Sequence, residues 1–114
     1  MSTFADYAAS QYDIRMTQGD TFIEHLLFED GEGDAIDLFG YTFKSQLRRV
    51  PDNGLTAEFQ MQILDDTTVK RTLPAVVTKD LEGVYVHDLQ WTDPEGRIRT
   101  LFAGEFEIEP EVTR

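Results

Sequence analysis

The chain has 114 residues, 40% of them hydrophobic, and its 22 acidic against 10 basic side chains give a formal charge of −12. That length suits one domain with a single core, and a field of that sign repels phosphate backbones and anionic headgroups, so neither nucleic acid nor a membrane is expected as a partner. Cysteine is absent, which excludes disulfides and thiolate metal sites; no run approaches the ~20 apolar residues of a membrane helix, and residues 1–11 lack the pattern of a signal peptide, so the chain reads as made in a cytoplasm. The charge reads as a solvated surface that resists aggregation, with an acidic patch made for one basic partner as the alternative.

Residues 1–11 are polar and alanine-bearing, with Phe4 and Tyr7 as isolated aromatics. They are expected to form an N-terminal arm ahead of a single domain over residues 12–114, either frayed or crossing to a neighbouring subunit to bury the two rings. Helix signals are weak throughout, and the places for one or two helical turns are residues 4–9 and 78–82. Residues 12–16 and 21–28 read as a strand pair around the turn Thr17-Gln18-Gly19-Asp20.

The acidic stretch over residues 29–37 gathers carboxylates, the oxygen ligands that calcium prefers. A helix–loop–helix calcium site needs glycine at its sixth position and glutamate at its twelfth; counted from Asp30, these are Ala35 and Tyr41. A solvated connection is therefore expected, in which Asp37 accepts a backbone hydrogen bond two residues on and Gly40 takes a positive φ before the next strand.

Tyr41, Phe43 and Leu47 alternate with Lys44, Gln46 and Arg48; Leu55, Ala57, Phe59, Met61 and Ile63 alternate with Glu58, Gln60 and Gln62. Both read as half-buried strands, joined by a hairpin at residues 50–54 where Asn53 and Gly54 tolerate positive φ. Residues 65–68 mark the next reversal. Residues 84–91 and 97–108 form a further pair across Asp93-Pro94-Glu95-Gly96, with proline and glycine where a type I turn prefers them. In the last strand Phe106 and Ile108 face one way and Glu105, Glu107 and Glu109 the other, a row that with Pro110 would guard a sheet edge. About seven antiparallel strands at this spacing predict an all-β, immunoglobulin-like β-sandwich. Trp91 and Phe102, near the Asp93–Gly96 turn, are candidate interface anchors, with core burial the favoured assignment.

Candidate chemistry is sparse. His25 and His87 each follow or precede an acid, Glu24 and Asp88, but strand neighbours point to opposite faces and neither pair is a dyad. The only serines are Ser2, Ser10 and Ser45, and no spacing suggests a nucleophile, a phosphate loop or a zinc-binding histidine pair. Carboxylate pairs are too abundant to carry information. No catalytic, cofactor-binding or metal-ligating residue is assigned, and a protein without chemistry of its own is expected.

Three groups of residues carry a resemblance: Ile14 to Phe22 leading into an apolar strand; Glu29-Asp30-Gly31 and Asp37-Leu38-Phe39-Gly40-Tyr41 leading into Gln46-Leu47-Arg48; and Gly83 to Leu89 with Gly96, Leu101, Gly104 and the ending Pro110 to Arg114. Over residues 12–114 the chain resembles small virion structural proteins of tailed bacteriophages, including the N-terminal domains of upper-baseplate and tail-fibre-associated proteins. The resemblance implies a β-sandwich made in a host bacterial cytoplasm, residing in the virion in several copies of a symmetric assembly and bound to other virion proteins. Its place would be an adaptor or accessory piece of the tail, baseplate or fibre-attachment region. A capsid decoration or neck protein stays open, as does a carbohydrate-binding module from another class. Gly83-Val84-Tyr85 also resembles the tyrosine corner of immunoglobulin-like sandwiches, which would have Tyr85 bond back to upstream backbone; the aspartate and cysteine that flank such a corner are Leu81 and His87 here.

Overall fold

A computed structural model describes residues 10–29, 32–50, 52 and 54–111, and residues 2–5 by their backbone. The described strands are β1 (Ser2–Ala5), β2 (Ser10–Gln11), β3 (Ile14–Thr17), β4 (Phe22–Glu29), β5 (Thr42–Lys44), β6 (Gln46–Arg49), β7 (Leu55–Glu58), β8 (Gln60–Ile63), β9 (Thr68–Leu73), β10 (Gly83–Thr92) and β11 (Ile98–Glu109), with one helical turn, α1 (Ala75–Thr78), between β9 and β10. They form two sheets. The smaller runs β1-β4-β9-β8, and the larger runs β2-β11-β10-β6-β7, with β3 also on β11 and β5 also on β10. Side chains of both sheets share each core cluster, so the all-β sandwich read from the sequence is the fold.

The strands outnumber the expected set because several are interrupted. The strand over residues 41–48 divides at Ser45 into β5 and β6, which keep one register on β10. The strand over residues 55–63 divides at Phe59, and its halves lie in different sheets: β7 pairs with β6, β8 with β9. A chain that changes sheet at a corner preserves its inward–outward alternation, which is why the two halves read as one. The alternation fails at its ends, where Leu55 and Ile63 are exposed. The two breaks meet, since the Phe59 N–H donates to the Ser45 carbonyl at 2.9 Å.

Other expectations are corrected. The strands around the turn at residues 17–20 do not pair; Gly19, at φ 90°, helps hand the chain from β3 on β11 to β4 on β9. Within the stretch read as an N-terminal arm, β1 runs parallel to β4 and β2 parallel to β11. Residues 4 and 5 are thus strand, not helix, and residues 6–9 lie outside the described residues. The helical turn falls ahead of residues 78–82 because it starts from Pro74, whose carbonyl accepts from the N–H groups of Val77 and Thr78. The last strand is not an edge: β11 lies between β10 and the β2/β3 line, and Arg15 of β3 reaches Glu107 and Glu109 at 3.4 and 3.2 Å.

The β10–β11 hairpin closes as read, with Gly96 N–H donating to the Asp93 carbonyl and Gly96 at φ 85°. Further along, Leu89 opposes Phe102 but Gln90 opposes Thr100. Leu101 is the extra residue of a bulge, and Leu101 and Phe102 are both buried in consequence.

Gly104 is the position where backbone approaches backbone. It opposes His87 in the ladder, and a Cβ built on it would lie 2.3 Å from the carbonyl oxygen of Tyr12 and 2.7 Å from Asp13 Oδ1. Tyr12 and Asp13 interrupt the β2/β3 line there, and Asp13 caps the Glu105 N–H at 2.9 Å. Gly104→Ala should therefore cost about 3 kcal/mol, measured by urea unfolding. Gly33→Ala, whose Cβ would meet nothing, should cost only about 1 kcal/mol for its positive φ. Equal losses would show that the Tyr12 contact is not the constraint at Gly104.

Candidate functional site

Four strands each carry the same inward sequence: an apolar residue, a polar residue or glycine, an apolar residue. On β4 it is Phe22, Glu24, Leu26; on β9 Val69, Arg71, Leu73; on β10 Tyr85, His87, Leu89; on β11 Phe102, Gly104, Phe106. Side chains two apart share a face, so the middle members fall at one level and split the core. One apolar cluster holds Leu26, Val69, Leu89 and Phe102, the other Leu73, Tyr85 and Phe106.

Arg71 occupies the centre at 0% exposure. Its Nε and Nη2 donate to Glu24 Oε1 at 3.1 and 2.8 Å, and its Nη1 to Ser45 Oγ at 3.1 Å and His87 Nδ1 at 3.0 Å. Four donors of the fork are used. The guanidinium also lies 4.3 Å from the Phe59 ring centre, 5.0 Å from that of Phe102 and 5.3 Å from that of Phe22, a cation among aromatic faces. The second Glu24 oxygen accepts from the Tyr12 hydroxyl, and Ser45 donates its own proton to the Asp88 carbonyl. Among the described residues no buried side-chain nitrogen or oxygen lacks a partner.

These contacts set the protonation of His87. Arginine only donates, so Nδ1 must accept and the proton sits on Nε2, which donates to the Tyr12 carbonyl at 2.6 Å. Burial and the adjacent Arg71 charge push the imidazole down to about 4. Burial also pulls the Arg71 guanidinium below its usual range, opposed by the carboxylate of Glu24. Both ring nitrogens of His87 are engaged inside the sandwich, at 2% exposure. Ser45, the one serine described in this region, is spent in the same set of bonds.

The other singled-out residues take no part in this set of hydrogen bonds. Trp91 and Phe102 are core residues and not surface anchors: Trp91 meets Phe28, Tyr41 and Phe43, and Phe102 meets Tyr12 and His87. Tyr7 lies outside the described residues, as does the side chain of Phe4. The Tyr85 hydroxyl donates to the Glu82 carbonyl at 3.2 Å and accepts the Glu82 N–H at 3.1 Å. Asp37 Oδ1 accepts the Phe39 N–H at 3.0 Å. Gly40 and Gly83 have φ of 84° and 112°. Gly54 does not take a positive φ; its hydrogen leaves room for the Arg49 guanidinium, whose Nη2 would lie 2.5 Å from a Cβ. Asn53 lies outside the described residues. His25 is exposed on β4 opposite Lys70.

No group of three or more His, Cys, Asp or Glu able to hold a metal ion occurs among the described residues, and no described helix is long and apolar enough to cross a membrane. The outer face of the larger sheet carries a shallow depression of about 380 Å3 lined by Gln11, Arg48, Val86, Asp88 and Glu105. A second, of about 330 Å3, lies between the loop of Phe39 and the β8–β9 turn.

The fold defines a two-sheet β-sandwich, and the comparisons with known proteins are comparisons of that fold. No protein-family model matches the chain, and no curated protein matches it. Among solved structures, CopC from Methylosinus trichosporium OB3b aligns at a TM-score of 0.54 and 13% identity, covering 90% of this chain and 88% of that one. The N-terminal domain of phage TP901-1 ORF48 aligns at a TM-score of 0.52 and 11% identity, covering 94% of each.

The state of His87 gives a pH test. The unfolded imidazole takes up a proton near pH 6.5, whereas the folded one resists to about pH 4. Its contribution is complete above pH 6.5, shrinks as pH falls through that window, and is gone below it, a loss of about 3 kcal/mol. Asp13, held below its usual range by the Glu105 N–H, contributes above pH 3.8 and loses its part only at lower pH. Urea unfolding should show this decline between pH 6.5 and 4, His87→Gln should flatten it, and imidazole nitrogen-15 shifts should report the neutral Nε2–H form at pH 5.5. An imidazolium at that pH would contradict the assignment.

Proposed function

We propose that this protein is a non-catalytic structural component of a tailed-phage particle, an adaptor or accessory piece of the tail, baseplate or fibre-attachment region that works by binding other virion proteins. The observation that carries this reading is the fold likeness to the N-terminal domain of phage TP901-1 ORF48, which takes in 94% of both chains, together with the motif resemblance over residues 12–114. At 11% identity the likeness is of fold, and the motifs supply the direction.

The interior supports the same reading. The side chains best equipped for chemistry, His87, Glu24, Ser45 and Arg71, are committed to one another inside the sandwich. What faces outward is a scaffold of strands with exposed apolar residues at loops and outer faces, including Phe39, Val50, Val76 and Ile98.

The test is particle composition. Peptides of this chain should appear, in several copies per particle, in density-purified tailed particles from the source that encodes it, and should follow the tails when heads and tails are separated. Recovery with the heads would move the protein to the capsid or neck. Absence from particles would end the virion reading.

A further inference from the structure

Phe39 is the most solvent-exposed of the large apolar side chains among the described residues, at 87%, yet its backbone is held by hydrogen bonds on either side. Its neighbour Leu38 is buried, and the Leu38 N–H donates to the Asp66 carbonyl at 2.7 Å, tying this loop to the β8–β9 turn. The Phe39 N–H is capped by Asp37, the Tyr41 N–H closes back on the Leu38 carbonyl at 3.1 Å, and Gly40 lies against Pro94. A ring presented on a fixed loop loses little further freedom when a partner covers it.

Opposite the ring stand Ile63 and Leu64, each about half exposed, and between the loops lies the cleft of about 330 Å3 whose rim is Asp65 and Asp66. The cleft is lined by residues 38–40 and 63–66, and the described segments that carry them, residues 32–43 and 59–69, hold five acidic side chains and no lysine or arginine. The partner is therefore selected by charge. A second copy of this chain, at −12, is repelled from the cleft by the same field that attracts a cation.

The geometry points to a docking site in which the cleft between Phe39 and Leu64 receives a basic protein segment that inserts one aliphatic or aromatic side chain, its lysines or arginines facing Asp37, Asp65 and Asp66. This inference deepens the adaptor reading and rests on it for the setting in which the partner is met. Particle composition tests that reading, whereas the experiment below uses the isolated protein, so the two fail separately.

The full chain is immobilised and challenged with a displayed library of random twelve-residue peptides. Enriched peptides should share net positive charge and an apolar anchor. They should lose about tenfold or more in affinity for Phe39→Ser and for Asp66→Lys, and both variants should melt as the parent does because Phe39 and Asp66 are exposed; Asp65 is left in place because it caps the Thr67 N–H. Failure to enrich, enrichment without positive charge, or equal binding to Phe39→Ser would overturn the proposal. So would a Phe39-dependent dimer in sedimentation velocity, which would give the cleft to a second copy.

Discussion

The structure depends on one buried cation. The guanidinium of Arg71 is at 0% exposure and cannot shed its proton to escape the low-dielectric interior, so its surroundings must compensate it. Glu24 balances the charge, Phe59 offers a ring face, and Ser45 and His87 accept the remaining donors. Each of these then constrains another group. Because His87 accepts at Nδ1 it must donate at Nε2; because it donates there, the Tyr12 carbonyl turns away from the sheet toward it; because that carbonyl lies over β11, position 104 has no room for a Cβ.

This chain of constraints joins elements far apart in sequence. Glu24 and Arg71 belong to the four-stranded sheet, Ser45, His87 and Tyr12 to segments of the seven-stranded one. A purely apolar core tolerates sliding between sheets, since hydrophobic contact has no direction. Hydrogen bonds from a planar fork have direction, and the layer through the middle of the core sets the alignment of one sheet on the other. The cost is that Glu24, Ser45, Arg71 and His87 are bonded to one another inside the sandwich. The Phe39 loop and the β8–β9 turn, tied together by the Leu38–Asp66 bond, lie beyond the Leu26–Phe102 end of the core.

Much of the fold was legible in the residues. Alternation in β10 and β11, the Asp93–Gly96 hairpin, and the glycines at 19, 40, 83 and 96 all act as their chemistry requires. Pairing partners were less legible, because alternation says which face a residue takes and not which sheet its strand joins. Residues 55–63 show this most plainly, since the sheet change at Phe59 leaves the pattern intact. The polar layer was missed for a related reason: a charged residue in a strand is ordinarily read as outward. The signal was nonetheless present, for Arg71 shares parity with Val69 and Leu73, Glu24 with Phe22 and Leu26, and His87 with Tyr85 and Leu89. Three polar residues each flanked at two-residue spacing by apolar ones mark a polar stratum inside a sandwich. Trp91 was the converse case, an aromatic near a turn whose strand parity with Leu89 placed it in the core.

The central claim is that Arg71 and Glu24 act as one buried unit on which the alignment of the sheets rests. A double-mutant cycle in urea tests it most directly. Arg71→Met should cost about 3–5 kcal/mol, because it removes the guanidinium that balances the Glu24 carboxylate, itself only 10% exposed. Adding Glu24→Leu should recover part of that loss, giving a coupling of about 2–3 kcal/mol. Additive effects, or a loss below about 1 kcal/mol for Arg71→Met, would contradict the account.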